Sequence, residues 1–167
     1  LKRDISEEQR KRFLGVMLDG GTRLTSLLND FLDLQRIESG RQRVSLIAID
    51  LRESIHRSIT AIPDPRHPVS SSIPDDLPLV KADPDRLRQM IENLLTNAKK
   101  YSPAGGAIQV SARVVAGMVE IAVSDHGLGL PPEAISLLFE KFYRVDNSDR
   151  RSIKGTGLGL AICRRIV

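Results

Sequence analysis

The spacing of apolar residues predicts that the chain begins with one long helix. Ser6-Glu7-Glu8-Gln9 has the form of a capping box, which predicts a helix start at this point. Apolar or small residues then recur at alternating spacings of four and three, as in a heptad seam. The seam consists of Phe13, Met17, Gly20, Leu24, Leu27, Phe31 and Leu34. Gly40 is expected to end the helix. Packing on its own domain is one interpretation of this helix, but the seam length favours a bundle or a dimer.

After the first helix, short apolar runs alternate with helical patterns. Apolar runs and strict apolar–polar alternation predict strands. The predicted strands cover residues 44–49, 69–73, 77–82, 108–114 and 119–123. Ala116-Gly117 is expected to turn between the last two, which therefore form a hairpin. Continuing the alternation of the last strand places Asp125 on its inward face.

Capping residues mark the helices of this second part. Asp50 is expected to cap a helix over 51–60, and Asp83-Pro84 to open a longer one. The core stripe of the longer helix is expected to be Leu87, Ile91, Leu94 and Ala98. A short helix is predicted over 133–138 and a last one from Thr156 onward. The fold class is therefore α+β, with a long helix followed by mixed strands and helices.

Composition narrows the possible classes of protein. The 167 residues suffice for one core, or for a small domain with an accessory element. The net charge of +4, from 25 basic and 21 acidic residues, is too small to indicate nucleic-acid binding. A single cysteine, Cys163, excludes an internal disulfide and is expected to be a small core residue. No apolar run approaches the roughly 20 residues that span a bilayer.

The first candidate for chemistry is the glycine-rich turn that begins at Asp125. A carboxylate on the apolar side of a strand costs on the order of several kcal/mol unless a donor meets it. The exocyclic amino group of adenine is such a donor, whereas guanine presents a carbonyl at that edge. Gly127 and Gly129 would let a flat base approach the backbone. An Asp-Gly turn that merely ends a strand is the alternative.

A second glycine-rich turn, Gly155-Thr156-Gly157-Leu158-Gly159, precedes the last predicted helix. Free backbone N–H groups at a helix start can hold an anion. The turn is not a dinucleotide fingerprint, because a polar loop rather than a strand precedes it, and the chain contains no Walker loop. The polar stretch 143–154 is expected to be a mobile loop, with Phe139 and Phe142 anchoring its near end.

Two asparagines on one helix face suggest a metal site. Asn93, Asn97, Lys100 and Tyr101 follow one another at spacings of four, three and one. Asparagine is a mediocre helix former, so two on one face indicate a function, although two solvated amides are the alternative. A neutral amide oxygen suits Mg²⁺ beside a polyphosphate, and Asn97 is the first choice as ligand. Lys100 can neutralise phosphate, Tyr101 can pack on the base, and Arg144 can reach the terminal phosphate.

Four motifs together resemble the N, G1, F and G2 boxes of sensor histidine kinases. They are Asn-Leu-Leu-Thr-Asn-Ala-Lys-Lys-Tyr-Ser at 93–102, Asp-His-Gly-Leu-Gly at 125–129, Leu-Phe-Glu-Lys-Phe-Tyr-Arg at 138–144 and Gly-Thr-Gly-Leu-Gly-Leu-Ala at 155–161. Residues 6–39 resemble the second helix of the dimerisation and phosphotransfer hairpin. The resemblance implies two parts: an incomplete hairpin over 1–42 and a catalytic ATP-binding domain over 43–167.

The family implies a Bergerat-type α/β sandwich with a mixed, mostly antiparallel sheet. It implies ATP and Mg²⁺ as ligands, with Asn97 holding the metal, Asp125 reading adenine and 143–154 forming the ATP lid. Asn97, Lys100 and Arg144 are the expected catalytic residues. Residues expected to contact the nucleotide are Asn93, Asn97, Lys100, Tyr101, Asp125, Gly127, Gly129, Leu130, Phe142, Arg144, Lys154, Gly155, Thr156, Gly157, Leu158 and Gly159.

The chain departs from the family's pattern in two respects. No histidine here has the Ser-His-Glu-Leu-Arg-type context of the phosphoacceptor, so the acceptor is expected upstream of Leu1. The family usually adds two strands after the last helix, so the sheet is expected to be incomplete at Val167.

Three hypotheses remain open from the sequence. The first is the catalytic part of a cytoplasmic histidine kinase that forms a homodimer through its first helix, phosphorylates a histidine and serves a response-regulator receiver domain. Under this hypothesis, membrane attachment would come only from upstream regions, and the protein would not bind nucleic acid. The second is a split or degenerate kinase half that binds adenine nucleotide with a partner chain. The third, a gyrase- or MutL-like clamp ATPase, is disfavoured by the bundle helix that directly precedes the sandwich.

Overall fold

The structure is a computed structural model that describes residues 6–40, 44–145, 153 and 155–167. Its helices are α1 (Glu7–Glu38), α2 (Leu51–Ala61), α3 (Pro84–Lys100), α4 (Pro132–Ile135) and α5 (Gly159–Ile166). No helix in these ranges is long and apolar enough to cross a membrane. The lid predicted over 143–154 lies mostly outside the described residues.

The strands form two small sheets. β1 (Ile47–Ile49) pairs with β3 (Val80–Ala82) in antiparallel fashion. In the second sheet β4 (Ile108–Val115) lies between β2 (Val69–Ser72), its parallel neighbour, and β5 (Met118–Ser124), its antiparallel neighbour. The pairing is therefore mixed and mostly antiparallel, which confirms the predicted fold class.

The hairpin between β4 and β5 follows from its turn residues. Ala116 and Gly117 both have positive φ angles, of 51° and 80°. Two consecutive left-handed residues make the tight turn whose twist matches that of the flanking strands. The register pairs Val115 with Met118 and continues to Gln109 and Ser124. The last strand thus ends one residue before Asp125.

The main core lies between α2, α3 and the sheets. Ile55, Ile91, Leu95, Ile108 and Val110 are completely buried within it. One predicted detail of α3 is wrong. Leu95, four residues after Ile91, occupies the core position, whereas Leu94 packs at its edge and lines a cavity. Cys163 is buried as predicted, and burial raises the pKa of its thiol to about 11, so it stays protonated at neutral pH.

Helix α1 begins with the predicted capping box, in which Ser6 Oγ accepts from Gln9 N and Gln9 Oε1 from Ser6 N. Its C-terminal part packs against α5. Leu34 is only 1% exposed and forms a second small core with Leu158 and Ile162. Further toward the N-terminus the seam is open, with Phe13, Met17 and Leu24 all exposed. One end of α1 is therefore covered by this chain, and the other is uncovered.

Several predicted elements are shorter in the structure. The strand predicted over 44–49 reduces to β1, and that over 77–82 to β3. The helix predicted over 133–138 is the single turn α4, and the last helix begins at Gly159 rather than Thr156. Each trimmed residue lies at an element end, where local preferences are weakest and hydrogen bonding decides.

Candidate functional site

A cavity of about 320 Å³ lies between α3, the end of β5 and the turn before α5. This volume is at the lower end of the range for small-molecule sites. The predicted site residues that line it are Asn93, Asn97, Lys100, Tyr101, Asp125, Gly129, Leu130, Arg144, Gly155, Thr156, Gly157 and Gly159. Residues far apart in the chain therefore meet at one cavity.

The N-terminal cap fixes where α3 begins, and its buried face fixes which side of the helix faces the cavity. Asp83 accepts hydrogen bonds from Asp85 N at 3.1 Å and Arg86 N at 3.2 Å, and Pro84 takes the first helical position. The opposite face, with Leu87 and Ile91, is buried in the core. The adjoining stripe of asparagines is thus left to face the cavity.

The two asparagines differ in their contacts. Asn93 Nδ2 donates to the Gly159 carbonyl at 3.3 Å, so this side chain ties α3 to the start of α5. The Asn97 side chain makes no hydrogen bond within the described part of the chain, although its backbone carbonyl accepts from Tyr101 N at 2.9 Å. The Asn97 amide oxygen is consequently available to a ligand, whereas Asn93 is already engaged through its amino group.

Asp125 faces the cavity from the end of β5. Its Oδ1 accepts from Gly127 N at 2.8 Å and from Ser102 Oγ at 3.4 Å. Asp125 is exposed, so the expectation that its carboxylate lies against an apolar core is wrong. Strand pairing ends at Ser124 and the chain turns there, which leaves Asp125 in the open mouth of the cavity without a burial penalty.

Gly127 serves packing and does not line the cavity. A methyl group on Gly127 would lie 2.2 Å from the Tyr101 carbonyl oxygen, so the turn reaches the end of α3 only because this residue has no side chain. Leu128 N donates to the same oxygen at 2.9 Å. The glycine thus holds the Asp125 turn against Tyr101.

Gly129 and Gly155 line the cavity from opposite turns. A methyl group on either would meet no other atom within 4 Å, so side chains there would project into open space. With an acceptor at Asp125, a cation at Lys100 and apolar walls from Leu94, a nucleotide fits this donor and acceptor set.

The second glycine-rich turn is held by the backbone of Phe142. The Phe139 and Phe142 side chains are both exposed, so the expectation that they anchor the lid is wrong. Phe142 N donates to the Gly157 carbonyl at 3.0 Å, and a methyl group on Gly157 would lie 2.8 Å from the Phe142 carbonyl carbon. Phe142 itself does not line the cavity. Nor does Leu158, which is buried against α1 as part of the second core. Phe142 and Leu158, both predicted to contact the nucleotide, instead support the turn from the side that faces away from the cavity.

Arg144 lies at the edge of the cavity, and its guanidinium already donates hydrogen bonds to backbone carbonyls. It donates to the Ile153 carbonyl and, at 3.4 Å, to the Gly155 carbonyl. In this arrangement it bridges the two ends of the predicted lid. Lys154, also predicted to contact a nucleotide, lies outside the described residues.

Sequence reasoning missed Asp30, which reaches the cavity from α1. Thr156 Oγ1 donates to Asp30 Oδ2 at 2.8 Å. Asp30 precedes Leu34 by four residues and therefore lies on the same helix face, but the sequence does not show that α5 covers this face. Other lining residues that the sequence did not single out individually are Thr96, Val123, Leu138, Tyr143, Val145 and Leu160.

The chain is similar in sequence and in fold to known proteins. Residues 82–167 match the family described as histidine kinase-, DNA gyrase B-, and HSP90-like ATPase. Drug sensory protein A of Synechocystis sp. is 35% identical over 98% of this chain, which spans about a quarter (26%) of that protein's length. Among solved structures, the mycobacterial sensor histidine kinase MprB is 31% identical with a TM-score of 0.62, over 73% of this chain and 78% of that one.

A second solved structure matches almost the whole chain. Full-length ShkA in complex with AMPPNP has a TM-score of 0.77 and 29% identity, over 98% of this chain and 34% of that chain. Its coverage includes the long first helix as well as the sandwich. The likeness therefore extends to the order of the helix and the sandwich.

Proposed function

The chain belongs to the histidine kinase-, DNA gyrase B- and HSP90-like ATPases, within them to the sensor histidine kinases, and we propose that it binds ATP with Mg²⁺ to phosphorylate a histidine. The observation that carries this proposal is the meeting of Asp125, Asn97, Lys100 and both glycine-rich turns at one cavity. ATP, when bound, supplies the phosphoryl group. The residues of this chain orient it and balance its charge.

At one end of the cavity, Asp125 selects the base. One of its oxygens already accepts from Gly127 N, so the turn fixes the carboxylate. The other oxygen accepts from the exocyclic amino group of adenine and repels the carbonyl that guanine presents there. Tyr101 packs beside the base or ribose. Adenine is thus preferred for two reasons: Asp125 attracts its amino group and repels the carbonyl group of guanine.

At the other end, polar groups hold the polyphosphate. The Asn97 amide oxygen would hold Mg²⁺, and the metal would neutralise charge on the phosphates. Lys100 neutralises phosphate charge. The backbone N–H groups of 155–157 lie where the last helix begins and can donate to phosphate. Arg144, now bound to the Ile153 and Gly155 carbonyls, can turn toward the terminal phosphate.

The exposed part of α1 supports a further part of the proposal. Phe13, Met17 and Leu24 form an apolar stripe on a helix whose other end is covered by α5. Such a stripe is covered by other helices in a bundle. The proposal is therefore that the intact protein forms a homodimer through α1. On its membership of the sensor histidine kinases, we further propose that it acts in the cytoplasm and passes its phosphoryl group on to a response-regulator aspartate.

Calorimetric titration with ADP and GDP in the presence of Mg²⁺ tests the nucleotide site. The wild-type chain should bind ADP more tightly than GDP. Asp125→Asn keeps the shape but replaces one acceptor with a donor, so it should weaken ADP binding by about 1–3 kcal/mol. Asp76→Asn, an exposed aspartate in the turn before β3, is the matched control and should change nothing. Equal wild-type affinities for ADP and GDP would overturn the assignment of Asp125.

A further inference from the structure

His67 is buried in the connector between α2 and β2, with both ring nitrogens engaged. It is 2% exposed. Its Nδ1 lies 2.8 Å from Asp64 Oδ2, and its Nε2 lies 2.9 Å from the Ser102 carbonyl oxygen. Both partners are acceptors, so both bonds form only when both ring nitrogens carry a proton. The side chain thus clamps the connector to the segment that follows α3.

Backbone contacts strengthen the same junction. Gly106 N donates to the Arg66 carbonyl at 2.9 Å, and Ile108 N donates to the Pro68 carbonyl at 2.9 Å. A methyl group on Gly105 would lie 2.9 Å from the Arg66 oxygen. The connector and the 102–106 loop therefore lie in close contact, with no room for a side chain at Gly105.

The other side of the clamped segment touches the Asp125 turn. Ser102 is 2% exposed, and its Oγ is 3.4 Å from Asp125 Oδ1. The preceding carbonyl, of Tyr101, accepts from Leu128 N at 2.9 Å. The Tyr101–Ser102 segment is consequently held between His67 on one side and the turn that carries Asp125 on the other. We expect a displacement of the segment to move Asp125 relative to the cavity.

We infer that His67 is a positioning residue for base selection, acting on Asp125 through the Tyr101–Ser102 segment. The inference rests on the proposed nucleotide function. His67 does not line the cavity, so its effect on a bound nucleotide would be indirect. The connector between α2 and β2 is thereby part of the support for the site, although it lies outside all four sequence motifs.

Asp64 completes the clamp from the surface side. The hydrogen bond from His67 is the main cause that holds the pKa of the Asp64 carboxyl below its usual value, with the backbone N–H of Arg66 second. The carboxylate therefore stays ionised at neutral pH and fixes the ring orientation. A side chain with a single amide group in place of His67 cannot donate to both acceptors in their present positions.

The test compares ADP with inosine diphosphate, which carries a carbonyl where adenine carries its amino group. His67→Gln should reduce the preference for ADP over inosine diphosphate about fivefold, because the proposed hydrogen bond from the adenine amino group to Asp125 is then less well placed. Affinity for inosine diphosphate should stay within about twofold. In NMR spectra the Gly127 amide, which donates to Asp125, should shift. His56→Gln, at an exposed histidine on α2, is the matched control and should behave as wild type.

The outcomes separate the inference from the proposed function. If wild type binds both nucleotides equally, the proposed base selection fails, and the inference fails with it. If wild type prefers ADP and His67→Gln keeps the full preference with an unshifted Gly127 amide, the inference alone is overturned. An equal loss of affinity for both nucleotides would assign His67 a purely structural role and also overturn it. Should His67→Gln not fold, Asp64→Ala removes the other end of the clamp at a partly exposed residue, and the same criteria apply.

Discussion

The Thr156 hydroxyl donates a 2.8 Å hydrogen bond to the Asp30 carboxylate, so helix α1 and the second glycine-rich turn share one wall of the cavity. The same hydroxyl oxygen accepts from Leu158 N at 3.3 Å. Asp30 therefore helps to order the turn, but it also places a negative charge at a cavity proposed to hold polyphosphate. We therefore expect nucleotide binding at this cavity and the docking of α1 to be coupled through this pair, so that each influences the other.

Replacing the Asp30 carboxylate with a neutral amide should tighten nucleotide binding. Asp30→Asn keeps an acceptor oxygen for Thr156 while removing the charge. ADP affinity should rise about threefold at low ionic strength and less at high salt, because salt screens the repulsion. Calorimetry at two salt concentrations measures this. Asp33→Asn is the control, since Asp33 bonds to Gln89 on α3 and does not line the cavity. Unchanged or weaker ADP affinity in Asp30→Asn would contradict the expected repulsion.

Docking of α1 should depend on Leu34. This side chain is 1% exposed between Leu158 and Ile162, so Leu34→Ala should lower the free energy of unfolding by about 2–4 kcal/mol. The same substitution at Leu79, which is 65% exposed before β3, should cost less than about 0.5 kcal/mol. Urea unfolding of both variants checks the difference. Similar losses at the two positions would mean that α1 is not docked as described.

The parts of this fold that could be predicted from sequence are those with a periodic or capping signal. The heptad seam and capping box predicted α1 to within one residue at each end. Asp50 and Asp83 marked the starts of α2 and α3 correctly. These signals are local, because each depends on residues within a few positions of one another. Alternation likewise located the β4–β5 hairpin.

The features that escaped prediction depend on packing between distant segments. Asp30 reaches the cavity only because α1 crosses α5 at Leu34, and no local pattern encodes that crossing. No sequence motif surrounds His67, yet its ring is buried and its Nε2 lies 2.9 Å from the Ser102 carbonyl oxygen, 35 positions away. Leu158 lies within a glycine-rich motif but points to α1. Such contacts are set by tertiary structure, which overrides what a short stretch of sequence indicates.

Acid should weaken the start of α3 through Asp83. The backbone N–H of Ser45 is the largest cause that lowers the pKa of this carboxyl, and the N–H groups of Arg86 and Asp85 add to it. A lowered pKa in the folded state means that the ionised form stabilises the fold. This contribution is fully present above the unfolded-state pKa and is lost as pH falls through the folded-state pKa, that is, below about 4.

Asp83→Ala should therefore destabilise the chain by about 1 kcal/mol at neutral pH, the usual cost of losing a helix cap. The difference from wild type should shrink as the pH is lowered below about 4, because the wild-type carboxyl is then protonated too. Thermal unfolding across a pH series measures both effects. Asp85→Ala, in the exposed first turn of the same helix, is the control. A pH-independent difference at Asp83 would rule out the charge as its source.

None of the three histidines is placed to receive a phosphoryl group from the cavity. His56 is exposed on α2, and His67 is buried between Asp64 and Ser102. His126 Nδ1 lies 3.1 Å from the Ala107 carbonyl, and none of the three lines the cavity. The proposed acceptor therefore lies on a separate element, and the reaction can be tested with that element supplied as a second molecule.

With labelled ATP and Mg²⁺, the chain alone should acquire no acid-labile label, whereas a histidine-bearing helical hairpin from a sensor kinase should be labelled in its presence. Asn97→Ala should abolish labelling, because it removes the proposed protein ligand of the metal. Arg144→Ala should slow labelling about tenfold or more while leaving ADP binding nearly unchanged, because positioning and charge neutralisation supply most of the rate in phosphoryl transfer. Arg113→Ala is the control, because Arg113 is paired with Glu120 on the β4–β5 hairpin of this chain. This variant should label the acceptor at the wild-type rate. Label on His56, His67 or His126 of the chain by itself would place the acceptor within this chain and contradict the assignment to a separate helix.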